Sequence, residues 1–149
     1  MEIIVRKANF EDLHYIYDLV KELAVYEEAE DQVTASLEDY QNDFKENIFE
    51  SLVAIADGKI IGMMLYYMTY STWKGKMIYL EDFIISEMYR NKGVGQQLFD
   101  AFLMVAKDKN ARLAKWQVLD WNSPAIKFYE KNNAIIEKNW WSVKIFLTN

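Results

Sequence analysis

The run Tyr79-Leu80-Glu81-Asp82-Phe83-Ile84-Ile85, followed by Ser86-Glu87-Met88-Tyr89-Arg90-Asn91-Lys92-Gly93-Val94-Gly95-Gln96, decides how this chain folds. Its first part is aromatic, aliphatic and β-branched around two carboxylates, the composition of a strand inside a sheet. That strand reads from Met77 to Ser86. The second part carries two glycines and two cations and opens a helix, Gly93 to Lys109, with Leu98, Phe102, Val105 and Ala106 on one face. A strand feeding a glycine loop and a helix predicts an α/β architecture rather than a bundle or a sandwich.

Two adjacent carboxylates in an apolar strand need a reason, because burying an unpaired charge is costly. Alternation along a regular strand sends Glu81 and Asp82 to opposite faces. Each is a candidate for proton transfer or for holding a cation; the plain alternative is a carboxylate facing water or neutralising a nearby lysine. In the loop, Gly93 and Gly95 let backbone approach a ligand, and the first N–H groups of the helix have no carbonyls behind them. Arg90 and Lys92 add positive charge. The arrangement suits a pyrophosphate; the plain alternative is an ordinary strand-to-helix turn. It is not a dinucleotide fingerprint, since Leu98 stands where the third glycine belongs. Nor is it a Walker loop, since no Gly-Lys-Ser/Thr follows.

Upstream, Ile3 to Arg6 reads as a first strand. Asn9 caps a helix with Asp12 at its third position, and Leu13, Ile16, Tyr17, Val20 and Leu23 or Ala24 recur at helical spacing through Val25. An acidic cluster follows at Tyr26, Glu27, Glu28, Glu30 and Asp31. Ser36 and Asp39 form a capping box for a second helix, Leu37 to Lys45. Leu52 to Ala56 and Lys59 to Tyr70 read as strands joined at Asp57-Gly58, a two-residue hairpin signal. Downstream, Arg112 to Leu119 reads as a strand and Pro124 begins a helix to about Lys131. Ile135, Ile136 and then Trp141 to Leu147 close the chain as strands. The expectation is one domain, residues 1–149, with a mixed, mostly antiparallel central sheet and helices on both faces.

Composition narrows the chemistry. Seventeen basic and 23 acidic side chains leave a net charge of −6, which weighs against a nucleic-acid partner and favours a cationic one. With no cysteine there is no disulfide, thiolate zinc site or cysteine nucleophile. The single histidine, His14, reads as an exposed residue of the first helix, so no metal site is expected. No basic-then-apolar segment follows Met1. The longest apolar run, Ile60 to Met68, falls far short of the ~20 residues of a membrane helix. A cytoplasmic protein with no membrane partner is expected.

A later segment, Trp121-Asn122-Ser123-Pro124-Ala125-Ile126-Lys127-Phe128-Tyr129, completes a pattern. Together with the Arg-x-x-Gly-x-Gly loop behind a carboxylate-bearing strand, it resembles the GNAT N-acetyltransferase superfamily. The finer resemblance is to the diamine (spermidine/spermine) acetyltransferase branch. It is carried by Glu22-Leu23-Ala24-Val25-Tyr26-Glu27, Tyr66-Tyr67-Met68-Thr69-Tyr70, Trp73-Lys74-Gly75-Lys76 and Tyr79-Leu80-Glu81-Asp82-Phe83, in order along nearly the whole chain. The resemblance implies the GNAT fold, its sheet splayed between the strands carrying Glu81 and Trp116, and acetyl-CoA as donor. It implies that the pyrophosphate rests on Arg90, Asn91, Lys92, Gly93, Val94, Gly95 and Gln96. The pantetheine arm would lie along Phe83, Ile84 and Ile85, with Asn122, Ser123, Pro124 and Ala125 helping to hold it. Tyr26, Glu27, Asp82 and Trp73 are implied in a small-molecule amine site, and a homodimer is implied whose sites draw on both chains.

The chemistry follows from the amine. A primary amine with a pKa near ~10 arrives protonated, and only its neutral form attacks a thioester. Glu81 is the candidate base, directly or through a water; Tyr129, near the sulfur in the family, is the candidate acid. Where the polyamine enzymes carry Tyr-Asp-Pro-Trp and Glu-Glu-Gly-Trp, this chain has Tyr70-Ser71-Thr72-Trp73 and Lys138-Asn139-Trp140-Trp141. Two missing anions favour a diamine or a lysine-like amine such as thialysine. Asn132-Asn133 replaces the glycine after the Tyr129 helix, and asparagine tolerates that left-handed cap. The competing readings are a protein or peptide N-acetyltransferase and a CoA-binding sensor without turnover. Retained Glu81 and Tyr129 argue against the sensor.

Overall fold

The computed structural model describes residues 1–148 and divides into two compact units, one through Trp116 and one from Gln117 onward. In the first unit five strands form one sheet: β1 (Ile4–Lys7), β2 (Glu50–Ala56), β3 (Lys59–Ser71), β4 (Gly75–Ile85) and β5 (Leu113–Lys115). They lie in chain order; β1 to β4 are antiparallel neighbours, and β5 runs parallel to β4. The Asp57-Gly58 turn joins β2 to β3 with both residues left-handed, φ 52° and 73°, the twist a two-residue hairpin requires.

Helices α1 (Leu13–Tyr26), α2 (Leu37–Lys45) and α3 (Val94–Asp108) cover the sheet. A short 3-10 turn, Phe10–Asp12, precedes α1 where a continuous helix is expected from Asn9. Asp12 is drawn into this turn by two partners: its Oδ2 accepts from the Asn9 backbone N–H at 2.8 Å, and Arg6 donates to both carboxylate oxygens at 2.7 and 3.1 Å. The Arg6 hydrogen bonds hold the Asp12 carboxyl below its ordinary range. The Ser36–Asp39 capping box starts α2 as expected. His14 is exposed on α1.

Alternation distributes β3 between two cores. Met63 and Leu65 join Val53, Ile84, Leu13, Ile16 and Leu19 in a cluster under α1, with Tyr40, Phe44 and Phe49 packed against it. On the opposite face Tyr66 packs on Phe102 of α3, ring centroids 5.6 Å apart. Helices therefore lie on both faces, as expected.

Two irregularities in β4 prepare the site. Leu65 pairs with Asp82 but Tyr66 pairs with Leu80, so Glu81 is an extra residue with no partner on β3: a β-bulge. On the other edge, β5 pairs only Met77↔Leu113, Ile78↔Ala114 and Tyr79↔Lys115. From Leu80 to Ile85, β4 no longer pairs with β5, which is the expected splay. The strand expected to run to Leu119 accordingly ends at Lys115.

In the second unit, α4 (Ser123–Lys131) begins at Asn122, whose Oδ1 accepts the Ala125 backbone N–H at 3.4 Å, with Pro124 in the first turn. Asn133 beyond it is left-handed, φ 64°, the conformation expected of that asparagine. The closing strands expected at Ile135-Ile136 and Trp141 to Leu147 do not form. The apolar alternation is there, yet Trp141, Val143, Ile145 and Leu147 are each at least 83% exposed. A strand needs a ladder partner, and among the described residues none pairs with this segment. No helix among the described residues is long and apolar enough to cross a membrane.

Candidate active site

The bulge corrects the expectation that Glu81 and Asp82 point to opposite faces. Asp82 stands across from Leu65 and so shares the face of α1 and α2. Tyr67, two residues beyond Leu65, is on that same face. It stacks on Tyr79, its partner across the ladder, at 5.6 Å, and its hydroxyl donates to Glu81 Oε1 at 3.1 Å. One inserted residue thus turns two adjacent carboxylates to one side of the sheet, where a regular strand would have separated them.

A third carboxylate joins them. Glu27 terminates α1, and its charge reaches Asp82. Burial pushes the Asp82 carboxyl up to about 7, with the charges of Glu81 and Glu27 adding to the shift. Burial likewise raises Glu27. Tyr40 of α2 and Tyr67 of β3 are both pushed up to about 12, by burial first and then by these carboxylates. They stay protonated donors at neutral pH. Tyr40 is held in place by edge-on contacts with Tyr17 and Phe49, at 5.0 and 5.9 Å. No lysine or arginine among the described residues pairs with Glu27, Glu81 or Asp82. Three carboxylates under a screen of phenols, with no internal cation, form a place for an external one. Sequence reasoning missed Tyr40; beyond its capping box α2 carries no motif, and packing sets Tyr40 near the β4 carboxylates.

The basic loop sits at the other end of the same strand. Asn91 and Gly93 are left-handed, φ 61° and 82°, and Gly93 caps α3. The first intrahelical bond runs from Gln97 N–H to Gly93 O, so the N–H groups of Val94, Gly95 and Gln96 precede the helical ladder. A Cβ at Gly93 would meet nothing within 4 Å, so the loop is open to a ligand. Arg90 Nε donates to the Ile85 carbonyl at 2.9 Å, and its guanidinium lies 5.1 Å from the Tyr26 ring. That contact joins the loop to the end of α1, beside Glu27. Lys92 is exposed. Phe83, Ile84 and Ile85, beyond the last β4–β5 pair, lead from the carboxylates to this loop.

Trp73 is not brought to this cluster. It stands 82% exposed at the tip of the β3–β4 hairpin, roughly 20 Å along β4 from Glu81 at strand rise. In the second unit Asn122 caps α4 with Ser123, Pro124 and Ala125 in its first turn, and Tyr129 is buried on that helix.

The splayed, bulged β4 feeding a glycine loop and helix lies within the stretch matched by the Acetyltransferase (GNAT) family model, residues 13–134. The chain belongs to that family. It is 39% identical over 138 residues to thialysine N-epsilon-acetyltransferase of Bos taurus, covering 86% of this chain and 81% of that protein. It is 30% identical over 148 residues to spermidine/spermine N(1)-acetyltransferase-like protein 1 of Homo sapiens, covering 91% of this chain and 21% of that one. The aminoglycoside N-acetyltransferase AAC(6')-Iy in complex with CoA superposes with a TM-score of 0.79 at 18% identity, over 97% of this chain and 95% of that one, a likeness of fold. The protein is an acyltransferase that acts on amines.

Proposed function

We propose that this protein transfers the acetyl group of acetyl-CoA to a primary amine of a small diamine or lysine-like substrate, the thialysine type foremost. The observation that carries this reading is the convergence of Glu81, Asp82 and Glu27, without an internal cation, where β4 loses its outer neighbour. A carboxylate cluster attracts a protonated amine, and the open edge gives an acyl donor a place to lie beside it. The thialysine enzyme of similar sequence supports the substrate class. Acetyl-CoA supplies the thioester. The open Gly93 cap, the first-turn N–H groups of α3, Lys92 and the exposed Asn91 suit its pyrophosphate, and Phe83, Ile84 and Ile85 suit its arm.

Glu81 takes the ammonium proton, directly or through a water, and Tyr67 holds its carboxylate in place. Backbone N–H of the same strand edge stabilises the developing oxyanion. Tyr129 protonates the departing thiolate. The family model runs through both units, which supports reading them as one acetyltransferase domain in residues 1–149. The exposed apolar alternation of Trp141, Val143, Ile145 and Leu147 supports a homodimer, in which Trp73 serves the partner's site. We place the protein in the cytoplasm.

The deciding experiment incubates the protein with acetyl-CoA and putrescine, spermidine, thialysine, lysine or a histone peptide, with thiol release as readout. Turnover led by thialysine or a diamine is expected. Turnover of the peptide alone would replace the small-amine reading, and tight acetyl-CoA binding without turnover would make the protein a sensor.

A further inference from the structure

Asp82 lies beneath the reacting end of the site, and three groups face it from three other elements, with a fourth on its own strand. Glu27 approaches from the end of α1, Tyr40 from α2 and Tyr67 from β3, with Glu81 beside it on β4. No cation among the described residues joins them. Glu81 is the exposed member and is held by Tyr67; Asp82 is partly buried behind it, on the same side of the sheet because of the bulge. Two like charges so placed do not both persist cheaply, and their unequal surroundings give the pair two roles.

We propose that Asp82 is the terminal proton acceptor of the reaction: Glu81 draws the proton from the bound ammonium and passes it to Asp82, which releases it to solvent. The proposal rests on the acetyltransferase reading of this site. The step balances. R–NH3+ becomes R–NH2 as one proton moves to Glu81 and on to Asp82, leaving Glu81 ionised. The nitrogen lone pair forms the C–N bond, the C–S bond breaks, and the second nitrogen proton is matched by protonation of the leaving thiolate. One proton per turnover leaves by way of Asp82. A carboxyl titrating at about 7 is better matched to an amine near ~10 than an ordinary carboxylate near ~4.

The test is the pH dependence of kcat and kcat/KM from pH 5.5 to 9.5, with the best amine, for wild type, Asp82→Asn, Asp82→Glu and Glu81→Gln. The wild type should rise through an inflection near neutrality. Asp82→Asn should lose that inflection and at least tenfold in kcat, and Asp82→Glu should restore a shifted inflection. If Asp82→Asn keeps both inflection and kcat and raises only the amine KM, Asp82 is an anchor for the cation and the proposal fails. A second measurement needs no variant to be active: NMR of unliganded wild type labelled at aspartate 13Cγ should show one carboxyl titrating near neutrality. No aspartate titrating above pH 6 overturns the proposal. Absence of turnover on every amine fails the acetyltransferase reading and the proposal with it; turnover without a near-neutral aspartate fails the proposal alone.

Discussion

The two halves of β4 do different work. From Gly75 to Leu80 the strand is bonded to β3, and half of it, Met77 to Tyr79, to β5; Ile78 and Leu80 are 0% and 2% exposed against the α3 core. From Glu81 to Ile85 it begins with a bulge, pairs with β3 from Asp82 onward and not with β5, and presents two carboxylates. The first half satisfies its backbone and buries its side chains, which is how a strand stabilises a fold. The second lies beyond the β5 ladder and sets charges close together, an arrangement that costs stability and persists where a ligand completes it. Substitutions below the bulge should therefore act on folding, and those at or above it on turnover.

The largest effect is expected at the bulge. Glu81→Gln should lower kcat/KM by about 10²- to 10⁴-fold with little change in Tm, because an exposed side chain contributes little to the core. An unchanged rate and pH profile in steady-state kinetics would remove Glu81 from the chemistry and break the contrast. Below the bulge, Leu80→Ala should cost roughly 2–5 kcal/mol in urea unfolding, the transfer and cavity terms of a buried leucine. The fraction that stays folded should keep the wild-type amine KM.

Asp82 sharpens the comparison, since its two effects oppose each other. Its carboxyl is raised to about 7 in the folded state, so the folded protein binds that proton more tightly than the unfolded chain does. The resulting stability is full below the unfolded value near ~4 and is lost as pH rises through about 7. Asp82→Asn should therefore stabilise the unliganded protein at pH 8, on the order of a few kcal/mol, and the gap should close near pH 4. Denaturant midpoints across that range measure it; a gap independent of pH would mean that ionised Asp82 carries no folding cost. The smallest effect belongs to Tyr66, across the ladder from Leu80. Its buried hydroxyl has no hydrogen-bond partner among the described residues. Tyr66→Phe should change stability by no more than about 1 kcal/mol, toward greater stability, by the same unfolding measurement.

Much of this was legible from residue order. The capping box at Ser36, the hairpin at Asp57-Gly58 and the amphipathic α3 follow from local chemistry, and the splay between the strands carrying Glu81 and Trp116 from the family resemblance. The relation of Glu81 to Asp82 was not. Strand alternation is a rule for regular ladders, and no residue near Glu81 signals that one is inserted; the bulge exists because the registers on its two sides differ by one. Tyr40 escaped for a similar reason, being an ordinary aromatic on an amphipathic helix until packing against Tyr17 and Phe49 turns it toward β4. The closing strands failed in the other direction. Alternation in Trp141 to Leu147 states a preference for extended backbone, but pairing takes a second strand that the segment does not encode.

By itself, then, the sequence determined the elements as far as α4, their order and the chemistry-bearing residue types, because caps, turns, periodicity and charge act within a few residues of one another. The tertiary structure decided which of those residues meet. A one-residue offset between β3 and β4 brings Glu81 and Asp82 to one side, and the end of α1 adds Glu27. Burial there lifts one carboxyl toward neutrality, a property of the assembled neighbourhood that no single stretch of the chain contains.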